Sequence, residues 1–161
     1  RWWTGTKAGE SINSQAGANP VGVALESVPI NGANRSAPLG FEDKSQFHGS
    51  VLELRDALSA SGVNDATIGV RGSSVTGSSF KTGTPFGPKS DIDFFVESGQ
   101  LTEAYKPSRN IPGFIHPNKI MNDYPLLSQW SEKWTGVLGR DVTPGAFQPG
   151  TLPQHPAIIA R

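Results

Sequence analysis

The chain contains no cysteine, which excludes a disulfide framework, a thiolate zinc site and a cysteine nucleophile alike. It also lacks an excess of charge of either sign: 14 Lys and Arg stand against 14 Asp and Glu. With no global field to draw it to a polyanion or a membrane surface, any contact with nucleic acid has to be local. No apolar run approaches the roughly 18 residues of a membrane span, and we do not expect Arg1-Trp2-Trp3 to open a signal peptide. Hydrophobic residues (35%) and charged residues (17%) are both sparse, and 19 Gly with 13 Pro make up about a fifth of the chain. That composition predicts many loops around a modest core. A length of 161 residues is enough for one domain with a sizeable core and short for two. The absence of Met at position 1 leads us to expect a piece of a longer polypeptide.

Residues 1–45 scatter Gly, Ser, Asn and Pro among short apolar stretches such as Val21-Gly22-Val23-Ala24-Leu25, and read as a loop-rich arm or linker. The pattern changes at Phe47. Phe47, Val51, Leu54 and Leu58 mark one face of an amphipathic helix, with Ser50-x-x-Glu53 as a capping box and Gly62 as its stop. Ala66-Thr67-Ile68-Gly69-Val70 reads as a strand that delivers Arg71-Gly72-Ser73 to its end. Ser74 to Lys89 is a Gly/Ser/Thr-rich loop with room for one helical turn, and Ser90 to Glu97 is a second strand, antiparallel or mixed with the first.

Farther along, residues 104–122 hold Lys106, Arg109, His116 and Lys119 with no acid, and are broken by Pro107, Pro112 and Pro117. This basic stretch is either a solvated loop or a clasp for phosphate. A second helix is expected from Asp123 as N-cap with Pro125 in its first turn. Its stripe of Tyr124, Leu127, Trp130, Trp134 and Leu138 has helical spacing, so we assign it to the core rather than to base stacking. Val137 to Val142 and Ala157 to Ala160 are further strand candidates, separated by a loop containing Pro144, Gly145, Pro149, Gly150 and Pro153. The sum is an α+β domain over residues 46–161, with a small mixed β-sheet flanked by helices.

The chemistry concentrates in Gly72-Ser73 and in Ser90-Asp91-Ile92-Asp93-Phe94. On an extended strand Asp91 and Asp93 share a face, while Ile92 and Phe94 face the other way and can be buried. Two carboxylates that close repel unless they share a proton or a cation. Mg²⁺ or Mn²⁺ beside substrate phosphates would keep both ionised. A glycine such as Gly72 allows close approach to the backbone, whose exposed N–H groups favour anions. Arg71 and Lys89 flank the two motifs and are either anion partners or solvated charges; Lys81, deeper in the loop, reads as solvated. Gly72 and Gly77 have the spacing of a P-loop, but Ser78 stands where that motif needs Lys. His48, His116 and His155 lack metal-ligand spacing.

Helix, strand, Gly-Ser, loop, then a strand with Asp-hydrophobic-Asp resembles the nucleotidyltransferase superfamily of the polymerase-beta type, over residues 46–97. The resemblance implies a nucleotidyltransferase-like sheet in which Gly72 and Ser73 bind the terminal phosphates of an NTP. Asp91 and Asp93 would be the metal ligands, and a nucleoside monophosphate would pass to an acceptor hydroxyl with release of pyrophosphate. The family's third carboxylate, from a neighbouring strand, maps best onto Asp141, with Glu97 as the alternative. The connection from Ser73 to Asp91 is longer than usual for the family, so Thr76 to Pro88 is expected to be an insertion.

In general character the chain also resembles the C-terminal toxin domains of bacterial polymorphic toxins of the Rhs and contact-dependent-inhibition types. That likeness implies a tRNA or protein acceptor, a cognate immunity protein over the Asp91/Asp93 cleft, and delivery by a bacterium into the cytoplasm of a target cell; the neutral charge and the lack of a long apolar run lead us to expect no membrane partner. Two rival classes remain. An ADP-ribosyltransferase would use NAD with Arg71 and a catalytic Glu, yet the chain has no Glu-x-Glu or Gln-x-Glu pair. A non-catalytic binding module would use the carboxylate strand as an interaction edge.

Overall fold

The computed structural model describes residues 25–161. The expected first helix is present as α1 (Lys44–Ala60), and its apolar stripe of Phe47, Val51, Leu54 and Leu58 is fully buried. It starts earlier than the capping-box reading required. Asp43 is the N-cap, accepting from Gln46 N at 2.8 Å, while the Gln46 side chain accepts from Glu42 N at 2.7 Å. A carboxylate at this end also opposes the helix dipole, which favours Asp43 over Ser50. Ser50 lies inside the helix, where its hydroxyl donates to Phe47 O at 2.6 Å. The chain leaves the helix through Gly62 at φ 88°.

The next strand is β2 (Thr67–Arg71), preceded in the chain by β1 (Ser27–Ile30) from the segment read as an arm. The arm's residues 1–24 lie outside the described residues. After β2, Gly72 leads into α2 (Ser73–Thr76), the single helical turn that the loop allowed. Then come β3 (Ile92–Glu97) and α3 (Gly99–Thr102). Asp65 stabilises the start of α3, taking a hydrogen bond from the Ser98 hydroxyl and others from Gly99 N at 3.0 Å and Gln100 N at 3.1 Å.

The basic stretch is more regular than its prolines imply. It contains β4 (Phe114–Ile115) and α4 (Pro117–Asp123), in which Pro117 occupies the first turn, where a missing N–H costs nothing. Asp123 is therefore the last residue of α4 and not an N-cap; its carboxylate accepts from the Tyr105 hydroxyl at 2.6 Å. Tyr124 takes the N-cap position of α5 (Pro125–Leu138), and Leu127, Trp130 and Trp134 are buried as expected. Val137 and Leu138 belong to this helix, so the strand expected near them lies farther on, as β5 (Val142–Phe147). Pro144 and Gly145, read as loop, sit inside it. β4 covers only Ala146 and Phe147, so the outer side of β5 is unpaired at Pro144, where a strand tolerates proline. β6 (Ala157–Ala160) matches its sequence signal.

The sheet order is β1-β6-β2-β3-β5-β4, with every neighbouring pair antiparallel except β3 and β5. A parallel pair needs a crossover, and the chain from α3 through α5 supplies it. The architecture is thus mixed α+β, with six strands and five helices among the described residues. Strand alternation sends Ile68, Val70, Ile92, Phe94, Val96, Val142 and Ile158 into one core with α1 and α5. Trp130 closes it, edge-on to Phe94 at 4.9 Å between centroids and donating its indole N–H to Ser50 O at 2.9 Å. Each such buried side chain contributes about 1.5–3 kcal/mol. On the opposite face Phe95, Phe147, Ala157 and Ile159 form a smaller cluster with Phe114 and Leu152. Beside this cluster the same face carries polar side chains and opens into a cleft.

Candidate functional site

Alternation on β3 buries Ile92 and Phe94 and leaves Asp93 on the open face, with Asp91 one residue before the strand on the same side. In the parallel register Ile92 lies opposite Val142 and Asp93 opposite Thr143, and Ile92 N donates to Asp141 O at 2.9 Å. Asp141 is thereby brought beside Asp91. On the other flank the antiparallel register sets Arg71 opposite Asp93. Arg71, Asp93 and Thr143 therefore make a row across three strands, with Asp91 and Asp141 just beyond it. A cleft of about 590 Å³ opens over this row, and Gly72 and Ser73 line it too.

The carboxylates feel one another. Loss of hydration and then the charge of Asp141 push the Asp91 carboxyl above its ordinary pKa. Asp93 is also pushed up, by loss of hydration first and Asp91 second, while Arg71 opposes the shift. Asp93 remains open to water within the cleft, but the walls crowd its carboxylate and thin its hydration. Arg71 is half-buried, its guanidinium 5.1 Å from the Phe147 ring centroid and 5.6 Å from that of Phe114. Contact with those two rings keeps the guanidinium on the side of the sheet where Asp93 emerges. Burial lowers its pKa and Asp93 raises it.

Other residues singled out by sequence fall in different places. Lys89 is exposed and does not line the cleft, whereas Lys81 does. Lys106, Arg109 and Lys119 are exposed and outside the lining. Glu97 is at the far end of β3, about 13 Å from Asp93 by strand rise, where it accepts from Gly150 N at 2.8 Å. It does not join the cluster. Arg140 directs its guanidinium to the carbonyls of Gly87 (2.8 Å) and Ser90 (3.0 Å), anchoring the loop just before Asp91. His48 is tied to Ser27 Oγ at 2.6 Å. The fold adds Phe80, Thr143 and His155 to the cleft, none of which the sequence reading placed there, and of the basic stretch's charged and imidazole side chains it brings His116. A signal for Thr143 did exist: it follows Asp141 by two residues, as Asp93 follows Asp91.

No family model, curated protein or solved structure matches this chain. Among the described residues no three His, Cys, Asp or Glu side chains form a group that could by itself hold a metal ion. Mg²⁺, however, is commonly bound by one or two carboxylates, with substrate phosphate oxygens and water completing its shell. Asp91 and Asp93, like-charged and both disposed to take up a proton, fit that smaller donor set. Among the described residues no helix is long and apolar enough to cross a membrane.

Proposed function

We propose that the cleft transfers a nucleoside monophosphate from an NTP to an acceptor hydroxyl, as a metal-dependent nucleotidyltransferase. The observation that carries this reading is the convergence of Asp91 and Asp93 with Asp141, the residue just before β5, beside Gly72-Ser73. In this reading Asp91 and Asp93 would hold Mg²⁺ or Mn²⁺, which supplies charge neutralisation of the triphosphate and of the developing transition state. Gly72 keeps the backbone clear of side-chain bulk where phosphate approaches, and the Ser73 hydroxyl donates to a phosphate oxygen. Arg71, already desolvated, offers its guanidinium to another. Lys81 at the cleft wall takes the position in this reading that sequence had given to Lys89.

The acceptor oxygen attacks the α-phosphorus, forming a new P–O bond as the bond to the bridging oxygen breaks and pyrophosphate leaves with that electron pair. The hydroxyl proton passes to a neighbouring carboxylate, and Asp141 is the group we assign to receive it. The acceptor is a hydroxyl of tRNA or of a protein. The broader proposal is a toxin domain delivered by a bacterium into a target-cell cytoplasm, neutralised by an immunity protein seated over this cleft.

The test is incubation of the purified chain with Mg²⁺, each α-³²P-labelled NTP, and total tRNA or lysate, beside an Asp91→Ala/Asp93→Ala variant. Label transferred by the native chain alone supports the reading, and the labelled species identifies the acceptor. No transfer from any NTP by folded protein, with both acceptor pools present, overturns it.

A further inference from the structure

Phe80 is 64% exposed, more than any other large hydrophobic side chain among the described residues, and it lines the same cleft as the carboxylates. Its loop is well anchored. Ser78 bridges to Pro85, Ser79 N donates to Thr84 O at 2.9 Å, and Phe86 N donates to Gly77 O at 2.9 Å. The loop thus presents the ring to the cleft instead of burying it. His155, approaching from the segment before β6, lies with its ring centroid 4.9 Å from that of Phe80 at a 52° tilt. The carbonyl of His155 is held in turn by Asn31 Nδ2 at 3.2 Å. A single exposed aromatic needs no explanation. Two aromatic rings from separate segments, meeting in a cleft that also holds three carboxylates, match a ligand with a flat apolar part and an anionic part that a divalent cation bridges to the carboxylates.

We propose that Phe80, backed by His155, is the platform on which the base of the bound nucleotide stacks. This rests on the reading of Asp91 and Asp93 as the phosphate end of the site. A volume of about 590 Å³ falls within the range of small-molecule sites and leaves room for both ends of a nucleotide. Stacking uses the π-face that every base has, so Phe80 contributes affinity and little choice among bases. Lys81, next in the chain, also lines the cleft.

The test compares binding of Mg-ATP and of Mg-tripolyphosphate, the latter a probe with phosphates and no base, to the native chain, Phe80→Ala, Phe80→Trp and Asp91→Asn/Asp93→Asn. Because Phe80 is exposed, Phe80→Ala should keep the native melting temperature. We expect it to lose about 10- to 100-fold in affinity for ATP, with tripolyphosphate binding unchanged. Phe80→Trp should retain ATP affinity and show quenching of the added indole, and in the transfer reaction Phe80→Ala should raise KM while kcat holds. Equal loss of both ligands in Phe80→Ala, or no loss of either, overturns the platform while leaving the phosphate site standing. If neither ligand binds the native chain, or if binding survives Asp91→Asn/Asp93→Asn, the phosphate reading and the platform fall together.

Discussion

A Cβ at Gly72 would stand 2.9 Å from Asp93 Oδ2, so the turn after β2 and the carboxylate on β3 occupy adjoining space. Gly72 also has φ 88° and ψ −157°, a region almost closed to other residues. Gly72→Ala therefore meets backbone strain and a displaced carboxylate together. We expect a loss of about 1–3 kcal/mol of stability and a larger fall in transfer than in folding. Denaturant melts beside the labelling assay measure both, and unchanged activity would remove Gly72 from the site.

Raised protonation of Asp91 and Asp93 has a definite consequence for stability. A carboxyl whose folded pKa lies above its ordinary 3.8 favours the folded state at low pH, and that contribution is lost as pH rises through the folded value. At neutral pH the ionised cluster is thus a liability without a cation. Asp93→Asn should melt higher than the native chain at pH 7, with about 2–4 °C for each kcal/mol relieved in a chain of this size. The gain should fade toward pH 3.8 and below. Mg²⁺ should raise the native melting temperature more than that of Asp93→Asn. Thermal shifts across pH, with and without Mg²⁺, test the sign.

Arg71 opposes the upward shift of Asp93. Arg71→Gln should leave Asp93 easier to protonate and move the acid limb of the pH–rate profile to higher pH. Arg71→Lys should restore part of the shift and less of the rate, because an ammonium stacks poorly on Phe114 and Phe147. A pH profile that does not move in Arg71→Gln would separate Arg71 from the carboxylates.

Asp65 provides a contrast of opposite sign. The Ser98 hydroxyl holds its carboxyl below the ordinary value; loss of hydration opposes that shift, and the backbone N–H groups of Gln100 and Gly99 add smaller lowering contributions. Its stabilising contribution is present above pH 3.8 and is lost as pH falls through the lower folded value. Asp65→Ala should cost about 1 kcal/mol at pH 7, with nucleotide binding retained because Asp65 lies outside the cleft lining. Chemical denaturation at pH 7 and pH 3 checks this.

Local pattern was sufficient wherever the environment repeats along the chain. The i, i+4, i+7 spacing from Phe47 and the alternation of Ile92 and Phe94 with Asp91 and Asp93 follow from helix and strand periods alone. They marked α1, the buried stripe of α5 and the shared face of the two carboxylates. Proline and glycine misled because their meaning depends on neighbours. Pro117 starts a helix, and Pro144 is accommodated in β5 because its outer side is unpaired there.

Sequence by itself determined which residues could carry charge on one face of β3, since side-chain direction on a strand is a local property. Only the tertiary structure decided what meets that face. The parallel register of β3 with β5 brings Asp141 and Thr143 to the cleft, the antiparallel register with β2 brings Arg71, and distant loops add Phe80 and His155. Strand pairing joins residues far apart in the chain through backbone hydrogen bonds common to all sequences, so no short stretch of residues encodes the match.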